Sequence, residues 1–95
     1  MLASTSGVIV SLMSGIDVSI LEYLSRCDQC RDYIARISRG VDEPYMTVTR
    51  SLNKLIELRV VRVDDESSNE YKYHYLTPFG LELATMITRS RICDE

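Results

Sequence analysis

The sequence lacks the residues on which most enzymes rely. Its 95 residues include a single histidine, His74, and contain neither a phosphate-binding glycine loop nor a nucleophile-elbow motif. No pair of carboxylates stands in a setting typical of acid–base catalysis. These absences predict a protein that is not an enzyme and that holds no cofactor or metal, so binding is the class of function to consider.

Long apolar stretches are also absent. The longest, Val8 to Met13, is interrupted by Ser11 and is far shorter than the roughly 20 residues of a membrane-spanning helix. No basic residue precedes it, so no secretory signal is predicted, and we expect a cytoplasmic protein without a membrane partner. A chain this small buries only about 60–70% of its unfolded surface, so a partner subunit would add stability.

A positive net charge is missing too. The formal charge is −3, which opposes the phosphate attraction that supplies most non-specific binding to nucleic acid. The charge is segregated, however, because four acidic residues crowd the short segment from Asp64 to Glu70. The first two thirds of the chain carry Arg26, Arg31, Arg36, Arg39, Arg50 and Lys54. A basic face is therefore compatible with the acidic total.

The first helical signal follows a segment without charged side chains. Residues 1–16 contain no acidic or basic residue and are expected to form an extended arm, a short helix on a partner, or a frayed tail. Ser19-Ile-Leu-Glu22 fits a capping box and predicts a first helix over about 18–26. The folded domain is accordingly predicted to span 17–92.

Two more helices follow. Asp28 is expected to cap a second helix over about 29–39, with Gly40 just beyond its end. A third helix is predicted over about 44–59, because Pro44 favours the first turn of a helix. The apolar face of the third helix consists of Val48, Leu52 and Leu55.

A β-hairpin and a last helix complete the pattern. The β-branched run from Val60 to Val63 and the alternating residues from Tyr71 to Leu76 predict two strands joined by an acidic turn. Thr77 and Pro78 then suit the cap and the first residue of a fourth helix that runs to about Arg91. The core face of this helix is predicted to hold Phe79, Leu83, Met86 and Ile87.

This order of elements resembles that of the winged helix-turn-helix transcriptional regulators of the MarR, PadR and ArsR type, including small archaeal members. Their third helix often reads Thr-Val-x-Arg-x-Leu-x-x-Leu, as Thr47 to Leu55 does, and their hairpin often ends Leu-Thr-x-x-Gly, as Leu76 to Gly80 does. Ile34-Ala35 matches the middle of their second helix. The resemblance covers roughly residues 17–90. It implies an α+β fold with a three-helix core, a β-hairpin wing and a C-terminal helix.

Two departures from the family pattern affect the expected geometry. Glycine usually stands where this chain has Arg59, so the third helix is expected to end differently or to extend. The stretch between Ala35 and Arg50 is a few residues longer than in the most compact members. The turn between the second and third helices is therefore predicted to be loose.

In this family the third helix enters the major groove, so the resemblance implies a regulator of transcription that binds duplex DNA. Arg50 suits guanine and Asn53 suits adenine, because both side chains can bond a base edge in bidentate fashion. The further contacts expected from this helix are Tyr45, Met46, Thr47, Thr49 and Lys54. The simpler alternative is an ordinary solvated helix face.

The resemblance also implies a homodimer formed through the terminal helices, which would set two recognition helices about one DNA turn apart. Leu81, Ala84 and Ile92 form a second apolar face on the fourth helix. A helix that is apolar on two sides is expected to be buried on two sides, so these residues are the predicted dimer contacts. No effector ligand is indicated by any motif.

The three cysteines leave several hypotheses open. Cys27-Asp-Gln-Cys30 is a C-x-x-C motif at the predicted start of the second helix, where a helix N-terminus would activate a thiol. A thiol-based redox-responsive regulator is one hypothesis, although ordinary thiols are favoured and a local disulfide comes next. Adding His74 and Cys93 gives four possible zinc ligands, but a second C-x-x-C is absent. Cys93 could instead bridge two subunits.

The hairpin also allows alternatives. Tyr71, Tyr73 and Tyr75 alternate and could stack on bases, but packing against the third or fourth helix is favoured. Phosphate would repel the acidic tip from Asp64 to Glu70, where a solvated turn is favoured over a protein contact. The acidic tip and the negative net charge keep open a second class of function, a winged-helix protein-interaction module that does not bind DNA.

Overall fold

The computed structural model describes residues 12–64 and 72–93, with side chains up to Arg89. Within these ranges the chain forms four α-helices, one 3₁₀ turn and three short strands. The elements are α1 (Gly15–Arg26), the 3₁₀ turn (Asp28–Cys30), β1 (Arg31–Asp32), α2 (Ile34–Val41), α3 (Tyr45–Glu57), β2 (Val61–Val63), β3 (His74–Leu76) and α4 (Pro78–Cys93). The strands pair antiparallel in the order β1-β3-β2.

The core is formed by apolar stripes from all four helices and from the two hairpin strands. The apolar face predicted for the third helix is confirmed, because Val48, Leu52 and Leu55 are fully buried. They pack in one cluster with α1, α2, the sheet and α4. The remaining buried apolar residues are Ile20, Leu21, Leu24, Ile37, Val60, Val61, Leu76, Leu83, Ala84 and Ile87.

Helix α1 begins earlier than predicted, at Gly15. The capping box is made by Ser14 and Asp17 rather than by Ser19 and Glu22. The Ser14 hydroxyl oxygen accepts a hydrogen bond from the Asp17 N–H at 3.3 Å, and the Asp17 carboxylate accepts one from the Ser14 N–H at 2.9 Å. The helix therefore starts before the domain boundary that we predicted at residue 17.

Helix α2 begins later than predicted, because the residues expected to form its first turn belong to the 3₁₀ turn and to β1. Gln29 and Cys30 have positive φ angles of 57° and 53°, which a right-handed α-helix does not accommodate. Arg31 and Asp32 then pair with Tyr75 and His74 as a third strand. Two residues are too short a segment to show the alternation by which a strand is predicted, so β1 was missed.

The turn between α2 and α3 is tight rather than loose. It comprises only residues 42–44, because α2 runs through Gly40 to Val41. Asp42 takes the left-handed conformation at φ 57°, which aspartate tolerates better than most residues. Its N–H donates to the Arg39 carbonyl at 3.3 Å, and the Glu43 N–H donates to the Ser38 carbonyl at 3.1 Å.

The turn that follows α3 is left-handed at Arg59, as it is at the glycine of the family pattern. Its φ is 64°, and its N–H donates to the Ile56 carbonyl at 3.0 Å. The Val60 N–H then donates to the Leu55 carbonyl at 2.9 Å, and the chain enters β2. Arg59 therefore keeps the left-handed turn that glycine makes in the family, but an arginine in this conformation is more strained than a glycine.

The Leu76-to-Gly80 motif joins three elements. As predicted, Thr77 caps α4: its hydroxyl oxygen accepts from the Gly80 N–H at 2.9 Å and donates to the Arg59 carbonyl at 2.8 Å. Gly80 lies so close to the end of α3 that an added Cβ would meet the Val60 carbonyl oxygen at 2.1 Å. Only glycine fits there, which explains the spacing of the motif physically.

The two faces predicted for α4 need correction. Ala84 is 1% exposed and belongs to the core of its own chain, so it does not form part of an outward face. Met86, predicted to face the core, is 44% exposed, as is Leu81. The buried stripe is Leu83, Ala84 and Ile87, because α4 packs against α1 and β3 with that side. The side chain of Ile92 lies outside the described residues.

Arg59→Gly is expected to raise the free energy of unfolding by about 1 kcal/mol. Glycine removes the roughly 1–2 kcal/mol cost of a left-handed L-residue. Part of this stabilisation is offset, because glycine also gives the unfolded chain more conformational entropy. Arg59→Ala is the matched control, because it removes the same charge but keeps the Cβ. Urea unfolding followed by circular dichroism measures both variants, and equal stabilities would show that Arg59 is not strained.

Candidate nucleic-acid interface

Helix α3 presents a polar face opposite its buried stripe. Arg50 and Asn53 are exposed, three residues apart on the same side of the helix. Met46 and Tyr45 are 63% and 51% exposed at the N-terminal end, and Thr47 is half-buried. The structure therefore places Tyr45, Met46, Arg50 and Asn53 at exposed positions of α3, with Thr47 and Thr49 half-buried. Within the described part of the chain, Arg50 forms no ion pair.

The N-terminus of α3 is open to an anion. Pro44 occupies the capping position, makes no side-chain cap, and no acidic residue lies in the first turn. The first N–H groups of a helix have no intrahelical acceptor and carry partial positive charge, so a phosphate oxygen suits them. Thr49 contributes less than predicted, because its hydroxyl already donates to the Tyr45 carbonyl at 2.9 Å.

A buried carboxylate holds the opposite side of α3. Asp17 is 1% exposed at the start of α1 and accepts hydrogen bonds from two side chains of α3. The Ser51 hydroxyl donates to its Oδ1, and the Lys54 Nζ lies 2.7 Å from its Oδ2. The same Oδ2 accepts the Ser14 N–H of the capping box. The Asp17 carboxylate thereby caps the N-terminus of α1 and links α1 to α3.

The pKa of Asp17 reflects two opposing effects. Burial, the larger single effect, raises it, but hydrogen bonds from Lys54, Ser51 and Ser14, together with the Lys54 charge, more than compensate. The net result is a pKa below the ordinary value of 3.8. Asp17 is therefore an anion throughout the physiological pH range.

Lys54 is thus placed differently from the prediction that it contacts phosphate. Its ammonium group is the counter-ion of Asp17, although its side chain remains 42% exposed. Releasing Lys54 to DNA would leave a buried carboxylate without its cation, which is costly. Lys54 is better described as a residue that positions α3.

A second buried carboxylate, Asp32, organises the segment between α1 and α2. It accepts the Tyr23 hydroxyl at 2.6 Å and the Tyr33 N–H at 2.8 Å, and Arg36 lies 3.9 Å away. Burial, and then the bond to Asp32, raise the pKa of the Tyr23 hydroxyl. The Arg36 side chain is 68% exposed, so this ion pair contributes little.

The cysteines do not occupy an activating position. Cys27 caps the C-terminal end of α1, and Cys30 precedes α2 by four residues, so neither lies at a helix N-terminus. The Cys27 thiol donates to Asp32 at 3.8 Å, and burial and this carboxylate raise its pKa. Both thiols are free. The activation by an α-helix N-terminus that the redox hypothesis assumed is therefore not found at Cys27 or Cys30.

The tyrosines lie on the opposite side of the sheet from the predicted one. His74 and Leu76 face the core from β3, and burial lowers the pKa of His74. Tyr73 and Tyr75 consequently face outward, and Tyr73 stacks on Tyr33 with ring centroids 4.4 Å apart rather than on a helix. Tyr71 and the acidic tip from Asp65 to Glu70 lie outside the described residues.

Sequence reasoning missed Asp17, Ser51 and Asp32 as structural determinants. A signal existed for Asp17, because Ser14-x-x-Asp17 has the spacing of a capping box. No comparable signal marks Asp32, whose side-chain partners come from α1 and from α2. Among the described residues, no helix has the length and apolar character that crossing a membrane requires.

The tight helix-turn-helix, the three-stranded sheet and the exposed α3 define the class of DNA-binding domains that present one helix to a groove. Residues 13–80, more than two thirds of the chain, match the family model of the winged helix DNA-binding domain. The chain belongs to this family, as its motifs predicted. No curated protein matches the sequence.

Solved structures share this fold at low identity. AbsC, a MarR family transcriptional regulator from Streptomyces coelicolor, has a TM-score of 0.76 at 17% identity; the match covers 85% of this chain and 55% of AbsC. The Staphylococcus aureus MepR–DNA complex gives 0.71 at 20%, over 81% and 63%. AF1382 from Archaeoglobus fulgidus gives 0.74 at 23%, over 92% and 96%. The chain thus spans about half of AbsC but nearly all of AF1382.

Asp17→Asn is expected to lower the free energy of unfolding by about 2 kcal/mol at pH 7. This is less than the roughly 3–5 kcal/mol for breaking a fully buried pair, because Lys54 is partly solvated. Because folding lowers the pKa of Asp17, its contribution is present above pH 3.8 and is lost as pH falls through the folded value. The variant should therefore lose less stability than the native protein between pH 5 and pH 2, about the range over which carboxylates protonate. Parallel urea titrations across that range measure this, and superimposable pH profiles would contradict it.

Proposed function

We propose that this protein is a transcriptional regulator that binds duplex DNA sequence-specifically as a homodimer, with α3 in the major groove. The observation that carries the proposal is the exposed α3 face, on which Arg50 has no ion-pair partner among the described residues. Asp17 binds Ser51 and Lys54 of the same helix, so the rotation of α3 that turns Arg50 outward is fixed before DNA arrives. A helix held in its bound position loses less freedom on binding.

Arg50 and Asn53 are the residues that we assign to base contacts. An arginine fork matches the O6 and N7 acceptors of guanine, and an asparagine amide matches N6 and N7 of adenine. Three residues along a helix advance about 4.5 Å. Successive bases of one strand are about 3.4 Å apart along the axis, so the two side chains are suitably spaced for neighbouring base pairs.

Contacts to the DNA backbone fall to the N-terminal end of α3. Its first-turn N–H groups have no side-chain cap, and Tyr45 and Thr47, whose hydroxyls can donate to phosphate, belong to the same turn. Met46 is exposed and unbranched, so it suits an apolar contact with a thymine methyl group. Lys54 is left out of this interface, since it serves Asp17.

The relatives support the proposal at the level of the fold. MepR, which shares the fold at 20% identity, has been solved bound to DNA, and AbsC is described as a MarR family transcriptional regulator. The family model itself describes a DNA-binding domain. A chain of this length is also sufficient for such a fold, because the match to AF1382 covers 96% of that protein.

Dimerisation is assigned to the outward side of α4. Leu81 is 44% exposed although the neighbouring Leu83 and Ala84 are buried, so this apolar surface remains available to a second copy. A two-fold dimer through α4 would present two copies of α3 to half-sites about one DNA turn apart. Ala84 takes no part, because it lies in the core.

DNA binding is tested by fluorescence anisotropy with a labelled generic duplex at several salt concentrations. Native protein should bind more weakly as salt rises, and Arg50→Ala should lose about tenfold in affinity, the range for one base contact. Lys54→Met should keep the native salt slope. A slope reduced by about 0.9 would instead show that Lys54 contacts phosphate.

The same titration distinguishes a DNA-binding regulator from a protein-interaction module. A folded protein that fails to bind duplex at low salt, in native and variant form alike, would favour the protein-interaction module. Circular dichroism provides the control for folding, since Lys54→Met also removes the counter-ion of Asp17.

Leu81→Asp is expected to convert the dimer into a folded monomer, because a carboxylate in an apolar interface is desolvated without a partner. Glu82→Ala is the control, since Glu82 is exposed on the adjacent position of α4. Light scattering measures both masses. An unchanged dimer mass for Leu81→Asp would move the interface elsewhere, with residues 1–16 as the next segment to test.

A further inference from the structure

The outward face of the sheet carries a row of two arginines with a tyrosine between them. Arg31 of β1 pairs with Tyr75 of β3, and Tyr75 pairs with Arg62 of β2. Residues directly opposite each other in antiparallel strands project to the same face. Because the adjacent row of Asp32 and His74 is buried, the row of Arg31, Tyr75 and Arg62 faces solvent.

A stack of side chains extends this face and fixes Arg31. The Arg31 guanidinium lies over the Tyr73 ring at 4.3 Å, and Tyr73 also stacks against Tyr33 with a 25° angle between the rings. The Tyr33 and Tyr73 hydroxyls are 2.9 Å apart. Arg31 is therefore held flat against an aromatic ring, while the N–H edge of a guanidinium stacked in this way remains able to donate.

Two shallow hollows lie on either side of Arg31. One, of about 250 Å³, is lined by Arg31, Arg36 and Tyr73 together with Cys27, Asp28 and Asp32. The other, of about 330 Å³, is lined by Arg31, Tyr75, Gln29 and Asp64. Each hollow thus has one tyrosine in its wall, and the two share the arginine between them.

Both hollows combine arginines with carboxylates, so they suit a ligand that carries a negative charge and hydrogen-bond donors together. Neither Arg31 nor Arg62 forms an ion pair with any residue in the described ranges. Of the carboxylates, Asp32 is already occupied by Tyr23 and the Tyr33 N–H. Asp28 is exposed at the edge of the first hollow, where a carboxylate can accept from the amino group of a base.

A strand of single-stranded nucleic acid has the chemistry that this arrangement fits. Its bases are planar and unpaired, so they can stack on aromatic side chains, and a phosphodiester links each base to the next. Both faces of the Tyr73 ring are covered, by Tyr33 and by Arg31, so Tyr75 is the residue that can stack on a base. Arg31 and Arg62 flank Tyr75 in the same row, which suits the phosphates on either side of that base. Duplex DNA does not fit in this way, because the faces of its bases are hidden in the stack.

We propose that the face formed by Arg31, Tyr73, Tyr75 and Arg62 is a binding site for single-stranded nucleic acid, separate from α3. Tyr75 provides the stacking surface, Arg31 and Arg62 contact the phosphates on either side of the stacked base, and Tyr73 holds Arg31 in place. The site does not depend on duplex binding by α3, since none of its residues belongs to that helix.

The test uses a labelled mixed-sequence DNA single strand of about 12 nucleotides, within the range of site sizes of single-strand-binding domains. Tyr75→Leu should weaken binding about tenfold, as expected for one lost stacking contact, and Tyr75→Phe should keep the native affinity. Arg62→Gln should reduce the salt slope by about 0.7, the value for one phosphate of a single strand. An abasic strand of the same length should bind at least tenfold more weakly than the normal strand, because it offers no base to stack.

Several outcomes would overturn the proposal. One is equal affinity of the normal and abasic strands, and another is displacement of the strand by polyglutamate at equal charge concentration, since either would indicate plain attraction of anions. A third is a loss of single-strand binding in Arg50→Ala with none in a folded Tyr75→Leu, which would place the strand on α3. Loss of duplex binding alone in Arg50→Ala, with single-strand binding intact, supports two separate sites. Thermal unfolding of each variant distinguishes a lost contact from a lost fold.

Discussion

The position of α3 depends on one buried carboxylate. Apolar contacts between Val48, Leu52 and Leu55 and the leucines of α1 drive the helices together, but such contacts have little direction and tolerate repacking. Asp17 adds direction, because its two oxygens must meet Ser51 and Lys54 and the capping N–H at once. A buried charge is costly when its partners are displaced, so rotation of α3 about its axis is penalised.

This constraint explains how α3 divides its polar residues. Successive residues of a helix are 100° apart, so Arg50 and Ser51 point in different directions although they are neighbours in sequence. Fixing Ser51 inward and holding Lys54 at the edge of the polar face therefore turns Arg50 and Asn53 outward. The pattern of the sequence shows a polar side of α3 but cannot show which polar residues are used internally. That distinction comes from Asp17, which lies 34 residues from Ser51 along the chain.

The same distinction marks the limit of prediction from sequence. Elements whose signals are local were predicted well: the apolar stripe of α3, the cap of α4 at Thr77 and the hairpin strands. Elements whose position depends on residues far away in the sequence were not predicted. Strand β1 is only two residues long and exists because β3 offers it an edge. Ala84 looked like a surface residue because the rotation of α4 is decided by its packing on α1. The tyrosines were assigned to the wrong side because the alternation of β3 fixes two faces without saying which one meets the core.

A net charge of −3 is compatible with binding to a polyanion once the internal use of charge is considered. Lys54 and Arg36 are paired with the buried carboxylates Asp17 and Asp32, so these four residues contribute little net field outside the domain. The cations without ion-pair partners in the described ranges include Arg50 on α3 and Arg31 and Arg62 on the sheet. Binding energy depends on the charges that reach a phosphate and not on the sum over the chain. The Asp17–Lys54 pair thus holds α3 in place, and together with the Asp32–Arg36 pair it determines which basic residues are left to recognise nucleic acid.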